Sequence, residues 1–240
     1  MHISHTQQQQ AWEEEHRRPK FLAHLASSKA SGGVKSFWKF IRRARKNDFQ
    51  LMTGLEIGCG KGRNAIWLAH QGVKMKAFDF SPSAIRMAKS RVSRKIIHKI
   101  SFSKHDITET WPFAADSFDF VIDNFVSTDI EGVRNRRFLA KELYRVLKPG
   151  GYFFLYTNTT KSDLYREMVK ARHLVSNEKH AFYYPEMKKF EKVFDKIELD
   201  DLYRCFELRE AKTYTRLSLV SGRPVTWEHF WRIYRKPKYI

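Results

Sequence analysis

LEIGCGKGRN, residues 55–64, joins a short apolar run to a helix-forming one through glycines at 58, 60 and 62. Glycine enters backbone regions closed to other residues and lets a ligand approach the main chain. The helical run that follows, residues 63–70, would turn its free N–H groups toward that loop. Glu56 sits at the end of the strand, where a phosphate site would not place an acid. The stretch therefore reads as a strand–loop–helix unit for a nucleotide-like ligand that carries positive charge. A dinucleotide fingerprint, G-x-G-x-x-G, does not fit, because Arg63 stands where its third glycine belongs, and G-x-x-x-x-G-K-[ST] is absent. A tight turn with no ligand is the alternative reading of the loop taken alone.

Outward from that loop the chain alternates strand and helix, the rhythm of a doubly wound, mostly parallel sheet. The strand LEIG leads into a helix over 64–71 closed by Gly72, and VKMKAFDF, residues 73–80, alternates as a strand should. Ser81 is a natural N-cap with Pro82 at the first helical position, and the helix continues to Val92. Strands are expected over 100–104, 118–125 and 152–158. The helix 138–147 precedes the last of these and is ended by Lys148-Pro149-Gly150-Gly151. Beyond lie expected helices near 164–174 and 185–193 and strands over 202–209 and 228–234.

Upstream, residues 1–10 read as a polar, frayed tail and 12–26 as helix-prone, with Ser31-Gly32-Gly33 as a break. In FWKFIRRARK, residues 37–46, Phe37, Phe40, Ile41 and Ala44 share one helical face. Lys39, Arg42, Arg43, Arg45 and Lys46 take the others. The expectation is a helix laid on the core with a solvated basic back. No linker divides the chain, so 1–50 is read as a helical cap of the same domain as 51–240.

In an open parallel sheet, ligands sit at the carboxyl ends of the strands. Glu56, Asp79, Asp106 and the pair Asp123-Asn124 all fall at such ends. Each alone could be a turn or capping acid; the repetition on successive strands is harder to dismiss.

The order E-x-G-x-G-x-G, then Asp79, then HDI (105–107), FAADSFDFVI (113–122) and RFLAKELYRVLKPGGYFFL (137–155) resembles the class I S-adenosylmethionine-dependent methyltransferases over residues 51–158. The resemblance implies a Rossmann-like, seven-stranded sheet. It gives Asp79 the ribose hydroxyls, with Phe80 and Ser81 beside it, and Asp106 the adenine amino group, with the Ile107 N–H on a ring nitrogen. The amino-acid end of the cofactor would lie over Gly58, Cys59, Gly60 and Gly62, its carboxylate toward Arg63 or Lys61 and its ammonium near Glu56 or Asp123. Asn124 is shared between cofactor and substrate. G-R-N-A-I-W-L-A with D-x-S after the second strand is similar to the branch of tellurite-resistance and thiol-methylating enzymes. The histidine pair common in the family after the fourth strand is replaced here by Val126-Ser127-Thr128-Asp129, and Asp123-Asn124-Phe125 lacks the prolines of the amino-methylating motif.

Methyl transfer is an in-line displacement that an enzyme promotes chiefly by positioning. A general base matters only where the acceptor holds its proton, and Asp123 is the one nearby candidate. Substrate walls are expected from Trp12 and Phe21 and from the segment 157–200, with Tyr183 and Tyr184 as candidates; His229 is read as packing. The expected function is transfer of a methyl group from S-adenosylmethionine to a small molecule. The net charge of +19 keeps a methyltransferase acting on RNA or another polyanion as an alternative, and a non-catalytic cofactor-binding protein is a third. Two cysteines and ten scattered histidines form no metal-ligand pattern, so no metal is expected. The absence of an apolar run long enough to span a membrane, and of a signal segment, reads as cytoplasmic.

Overall fold

Five parallel strands carry the architecture: β1 (Thr53–Ile57), β2 (Lys74–Asp79), β3 (Ile100–Lys104), β4 (Phe118–Asn124) and β5 (Leu147–Asn158). The computed structural model describes residues 4–21, 23–45, 51–175, 178–220 and 223–238. A two-stranded sheet, β6 (Ala181–Tyr184) with β7 (Lys189–Lys192), follows, and the chain ends in the long strands β8 (Glu207–Val220) and β9 (Arg223–Arg235). The main sheet has seven strands in the order β3-β2-β1-β4-β5-β9-β8, with β9 antiparallel to both of its neighbours. The switch in strand order lies between β1 and β4, beside the glycine loop, where such sheets open a crevice.

Among the described residues seven α-helices accompany the strands: α1 (His5–Arg17), α2 (Gly32–Ala44), α3 (Arg63–His70), α4 (Pro82–Ser90), α5 (Val133–Val146), α6 (Asp163–Lys170) and α7 (Lys196–Leu202). Because successive strand residues point to opposite faces, Phe120, Ile122 and Phe154 join α2, α3 and α4 in one core. Val121, Phe153 and Leu155 join α5 and α7 in the other. The basic helix α2 packs as expected: Val34, Phe37, Trp38 and Ile41 are buried, and the Phe37 ring stacks on Phe154 at 5.0 Å.

Four expectations are corrected. The tail is not frayed from residue 4 onward: Ser4 caps α1 by accepting from the Gln7 N–H, and the Gln7 side chain accepts from the Ser4 N–H. That capping box satisfies two helix-end donors at once. The helix expected over 12–26 ends at Arg17, because Pro19 disfavours helical backbone in the residue before it. The helix expected over 185–193 is instead the β6–β7 hairpin, turned by 185–188 with Lys188 in the left-handed region. The strand expected over 202–209 starts later and runs longer, since Leu202 ends α7 and β8 spans Glu207–Val220. Residues 1–3 of the tail and Lys46 of the basic face lie outside the described residues.

Candidate active site

At the carboxyl ends of β1, β2 and β4 a single cavity of about 1310 Å³ opens, and α1 lies across it. Its floor is the glycine loop, where Gly58, Gly60 and Gly62 all have positive φ. A side chain at Gly60 would bring its Cβ within 3.2 Å of the His16 ring on α1, so the loop and the covering helix nearly touch there. Gly62 caps α3 and is backed by Phe102, 2.7 Å from where a Cβ would stand; it does not line the cavity.

The carboxylates at the strand ends have distinct duties. Glu56 is buried, accepting from the Asn64 Nδ2 at 2.8 Å and the Ala65 N–H at 2.9 Å, and thereby ties α3 to β1. Burial pushes its carboxyl up to about 7. Asp79 accepts from the Gly60 N–H at 2.8 Å and the Ser81 N–H at 2.9 Å, one on each oxygen. Burial raises its carboxyl, and the nearby His16 opposes the rise. A carboxylate offers about four lone-pair positions, so two remain on Asp79. On Asp106 none remain. Its Oδ1 accepts from the Thr108 N–H and hydroxyl at 2.9 and 2.7 Å, and its Oδ2 meets Gln9 Nε2 at 2.7 Å and His5 Nε2 at 2.9 Å, both from α1.

Of the other expected cofactor contacts, Cys59, Arg63, Phe80, Ile107 and Asn124 line the cavity. Burial pushes the Cys59 thiol well up, so it stays protonated. Arg63 has no ion-pair or hydrogen-bond partner among the described residues, and Asn124 accepts from the Ser31 hydroxyl at 3.1 Å. Ser81 does not face the cavity. It is fully buried, caps α4, and donates its hydroxyl to Glu13 of α1.

Asp123 corrects the base expectation. Its carboxylate is fully buried and accepts from the Val126 N–H at 2.8 Å and the Ser127 N–H at 3.2 Å, closing the turn after β4 instead of facing the cavity. Burial pushes it up to about 6. Tyr183 and Tyr184 separate because neighbours on a strand point oppositely. Tyr184 and Trp12 line the cavity, whereas Tyr183 does not, and its hydroxyl donates to Glu131 at 2.7 Å.

The cavity's far end was not read from the sequence. It is walled by Phe125, Tyr156, Trp227 and His229 and crossed by a chain of buried polar groups. The Lys189 ammonium lies 3.2 Å from Asp129, 3.0 Å from Glu191 and 5.0 Å over the Trp12 ring. Burial would lower Lys189, but the two carboxylates outweigh it and hold the amine above its usual range. Burial likewise lifts Asp129 to about 7. The signal was the alternation of Lys189 and Glu191 in a strand, hidden once the segment was read as a helix.

Residues 55–155 match the family model described as a methyltransferase domain. Over that stretch the chain is similar to methyltransferase domains. It is 31% identical over 147 residues to a demethylmenaquinone methyltransferase of Chlorobaculum parvum, covering 56% of this chain and 53% of that one. The chain spans between about a third and about half of the length of the curated relatives it matches. Its fold is similar to an S-adenosylmethionine-dependent methyltransferase of Methanosarcina mazei, with TM-score 0.69, 24% identity and coverage of 81% of this chain and 97% of that one. It is also similar to the 1,6-didemethyltoxoflavin-N1-methyltransferase of Burkholderia thailandensis, solved with its didemethyltoxoflavin and S-adenosylhomocysteine, with TM-score 0.65 at 13% identity, covering 95% of this chain and 87% of that one. Among the described residues no helix is long and apolar enough to cross a membrane.

Proposed function

We propose that this chain transfers a methyl group from S-adenosylmethionine to a small-molecule acceptor. The observation that carries the reading is one continuous cavity of about 1310 Å³ with acids and a glycine loop at one end and an aromatic chamber at the other. Pockets for a single drug-sized ligand run to roughly 300–1,000 Å³, so the volume suits two molecules side by side.

The residues at the first end fit the cofactor. The two unspent lone-pair positions on Asp79 suit a vicinal diol, and the unpartnered Arg63 suits a carboxylate. Phe80 and the Ile107 N–H flank the place where a base would lie, beside Cys59 and Gly58. Once bound, the cofactor supplies an electrophilic methyl group on a sulfonium. The protein's part is positioning: α2 packs on the core of the same domain, and α1 lies across the cavity. Asp106 joins the cofactor contacts only when Gln9 and His5 release it, because its four positions are filled.

Calorimetry with S-adenosylhomocysteine tests the reading directly. Wild type is expected to bind and Asp79→Asn to bind at least about tenfold more weakly, and failure of wild type to bind refutes the assignment. A turnover screen with labelled methyl donor over thiols, phenols, amines and RNA then assigns the acceptor. The net charge of +19 favours a second reading, action on a polyanion. Retention on heparin and tRNA that falls steeply with salt would support it.

A further inference from the structure

The chamber at the cavity's far end contains a histidine whose surroundings fix both its tautomer and its direction. In the sheet, Asn158 of β5 and Tyr214 of β8 pair directly with His229 of β9 from either side, so the three side chains stand in a row on one face. Asn158 Oδ1 lies 2.9 Å from His229 Nδ1, and Asn158 Nδ2 donates to Glu191 Oε1 at 2.9 Å. The other oxygen of Glu191 is paired with the Lys189 ammonium at 3.0 Å.

Each link constrains the next. A carboxylate paired with an ammonium only accepts, so it takes the NH₂ side of the Asn158 amide and turns its oxygen to His229. An oxygen can only accept, so Nδ1 carries the proton. Nε2 is then left with a lone pair, and among the described residues it has no hydrogen-bond partner. Phe125, Tyr156 and Trp227 hold the ring, with ring centroids 5.1, 5.2 and 6.4 Å away. His229 lines the cavity and is 7% exposed.

We infer that His229 Nε2 is the base for this reaction and that the acceptor is a planar molecule bearing a protic nucleophile, a phenolic or enolic hydroxyl or a ring N–H. The inference rests on the methyltransferase reading above. The acceptor's O–H or N–H bond breaks and its proton goes to Nε2. The electron pair left on the acceptor atom forms the new bond to the methyl carbon, and the pair of the old carbon–sulfur bond returns to sulfur. One positive charge is lost at the sulfonium and one gained at the imidazole, so the chamber's net charge does not change. Asn158 and Glu191 are positioning residues.

The charged and titratable groups facing the ring are Arg216 and Tyr214 from β8, Tyr156 from β5 and, through Asn158, Glu191 from β7. Burial, reinforced by the Arg216 charge, lowers His229 to about 4, which keeps Nε2 unprotonated at neutral pH. A lone histidine in a strand carries no such reading by itself; the pairing of three strands and a second sheet creates it.

Two measurements on the full chain test the inference. In the first, long-range ¹⁵N–¹H spectra of labelled protein at about pH 7.5, assigned by loss of one signal in His229→Gln, should show a protonated Nδ1 and a bare Nε2. Glu191→Gln, which frees the amide to turn, should populate the other tautomer. An Nε2–H form or an imidazolium in wild type overturns the inference, as does a tautomer unmoved by Glu191→Gln. In the second, protein saturated with S-adenosylhomocysteine is titrated at about pH 6 with 4-nitrophenol and with its methyl ether, 4-nitroanisole. Wild type should prefer the phenol at least about tenfold, near 1.4 kcal/mol, and His229→Phe should lose the preference. No binding of the phenol, equal affinities in wild type, or a preference that survives in His229→Phe overturns it. Failure to bind S-adenosylhomocysteine is separate and overturns the methyltransferase reading itself.

Discussion

Replacing Lys189 by Met removes the cation that the far end of the cavity is built around while keeping nearly its length and volume. In the native protein its ammonium sits 3.2 Å from Asp129 and 3.0 Å from Glu191, with the lysine side chain only 8% exposed. Breaking a buried ion pair by deleting one partner typically costs about 3–5 kcal/mol, because it leaves uncompensated charge. Asp129 retains some exposure, so we expect about 2–4 kcal/mol here. The sign with pH follows from the direction of the shifts. Asp129 is already raised to about 7 with Lys189 present, and losing the ammonium raises it further. An acid whose folded value lies above its unfolded one adds stability that is complete at low pH and is lost as pH climbs through the folded value. The variant therefore loses more than wild type on the alkaline side. The gap should be widest near about pH 8.5 and should narrow toward about pH 5.5, by about 1.4 kcal/mol for each unit of additional shift. Urea denaturation of both proteins at the two pH values measures this. A difference below about 1 kcal/mol at the higher pH, or a gap that widens on acidification, refutes the reasoning.

Replacing His5 and Gln9 together by Ala removes the two α1 contacts to Asp106; at about 1 kcal/mol each, S-adenosylhomocysteine should associate about 5–30 times faster in stopped-flow measurements. Phe37→Ala empties the stack on Phe154 and should destabilise by about 3–5 kcal/mol in thermal or urea unfolding, without changing which acceptors are methylated. Tyr183→Phe should leave methyl turnover unchanged, since Tyr183 does not line the cavity, whereas Tyr184→Ala should alter the acceptor KM. Ser4→Ala should cost α1 about 1 kcal/mol of local stability, read as faster amide exchange over 5–9.

The residues 51–158 were legible because their signals are local. Gly58, Gly60 and Gly62 mark a loop of positive φ, Ser81-Pro82 marks a helix start, and the strands alternate or run apolar. The site was legible only where one residue's position on a strand end decides its exposure, as for Asp79. Asp123 occupies an equivalent position, yet the turn after β4 folds its backbone N–H groups onto the carboxylate, a choice made three and four residues further on. The helix expected over 185–193 is a hairpin instead because Pro185 opens a turn, and β6–β7 packs with Leu164, Met168 and Val225, all remote in sequence. His229 was read as packing for the same reason: its tautomer is set by Asn158 of β5 and by Glu191 and Lys189 of β7, strands of two different sheets.

Helix α1 touches both ends of the cavity, and this constrains the order of events there. His5 and Gln9 fill Asp106 Oδ2, His16 lies against Gly60, and Glu13 accepts from the Ser81 hydroxyl beside Asp79. From the same helix, Gln8 donates to the Asp129 carbonyl at 2.6 Å, and the Trp12 ring lies under Lys189. A ligand group that hydrogen-bonds Asp106 must displace Gln9 or His5, because no lone-pair position is otherwise available. Both sit on the helix that also carries Gln8 and Trp12, which touch Asp129 and Lys189. The two ends of the cavity are therefore bridged by one helix, and we expect a ligand group that displaces Gln9 or His5 from Asp106 to alter the α1 contacts to Asp129 and Lys189.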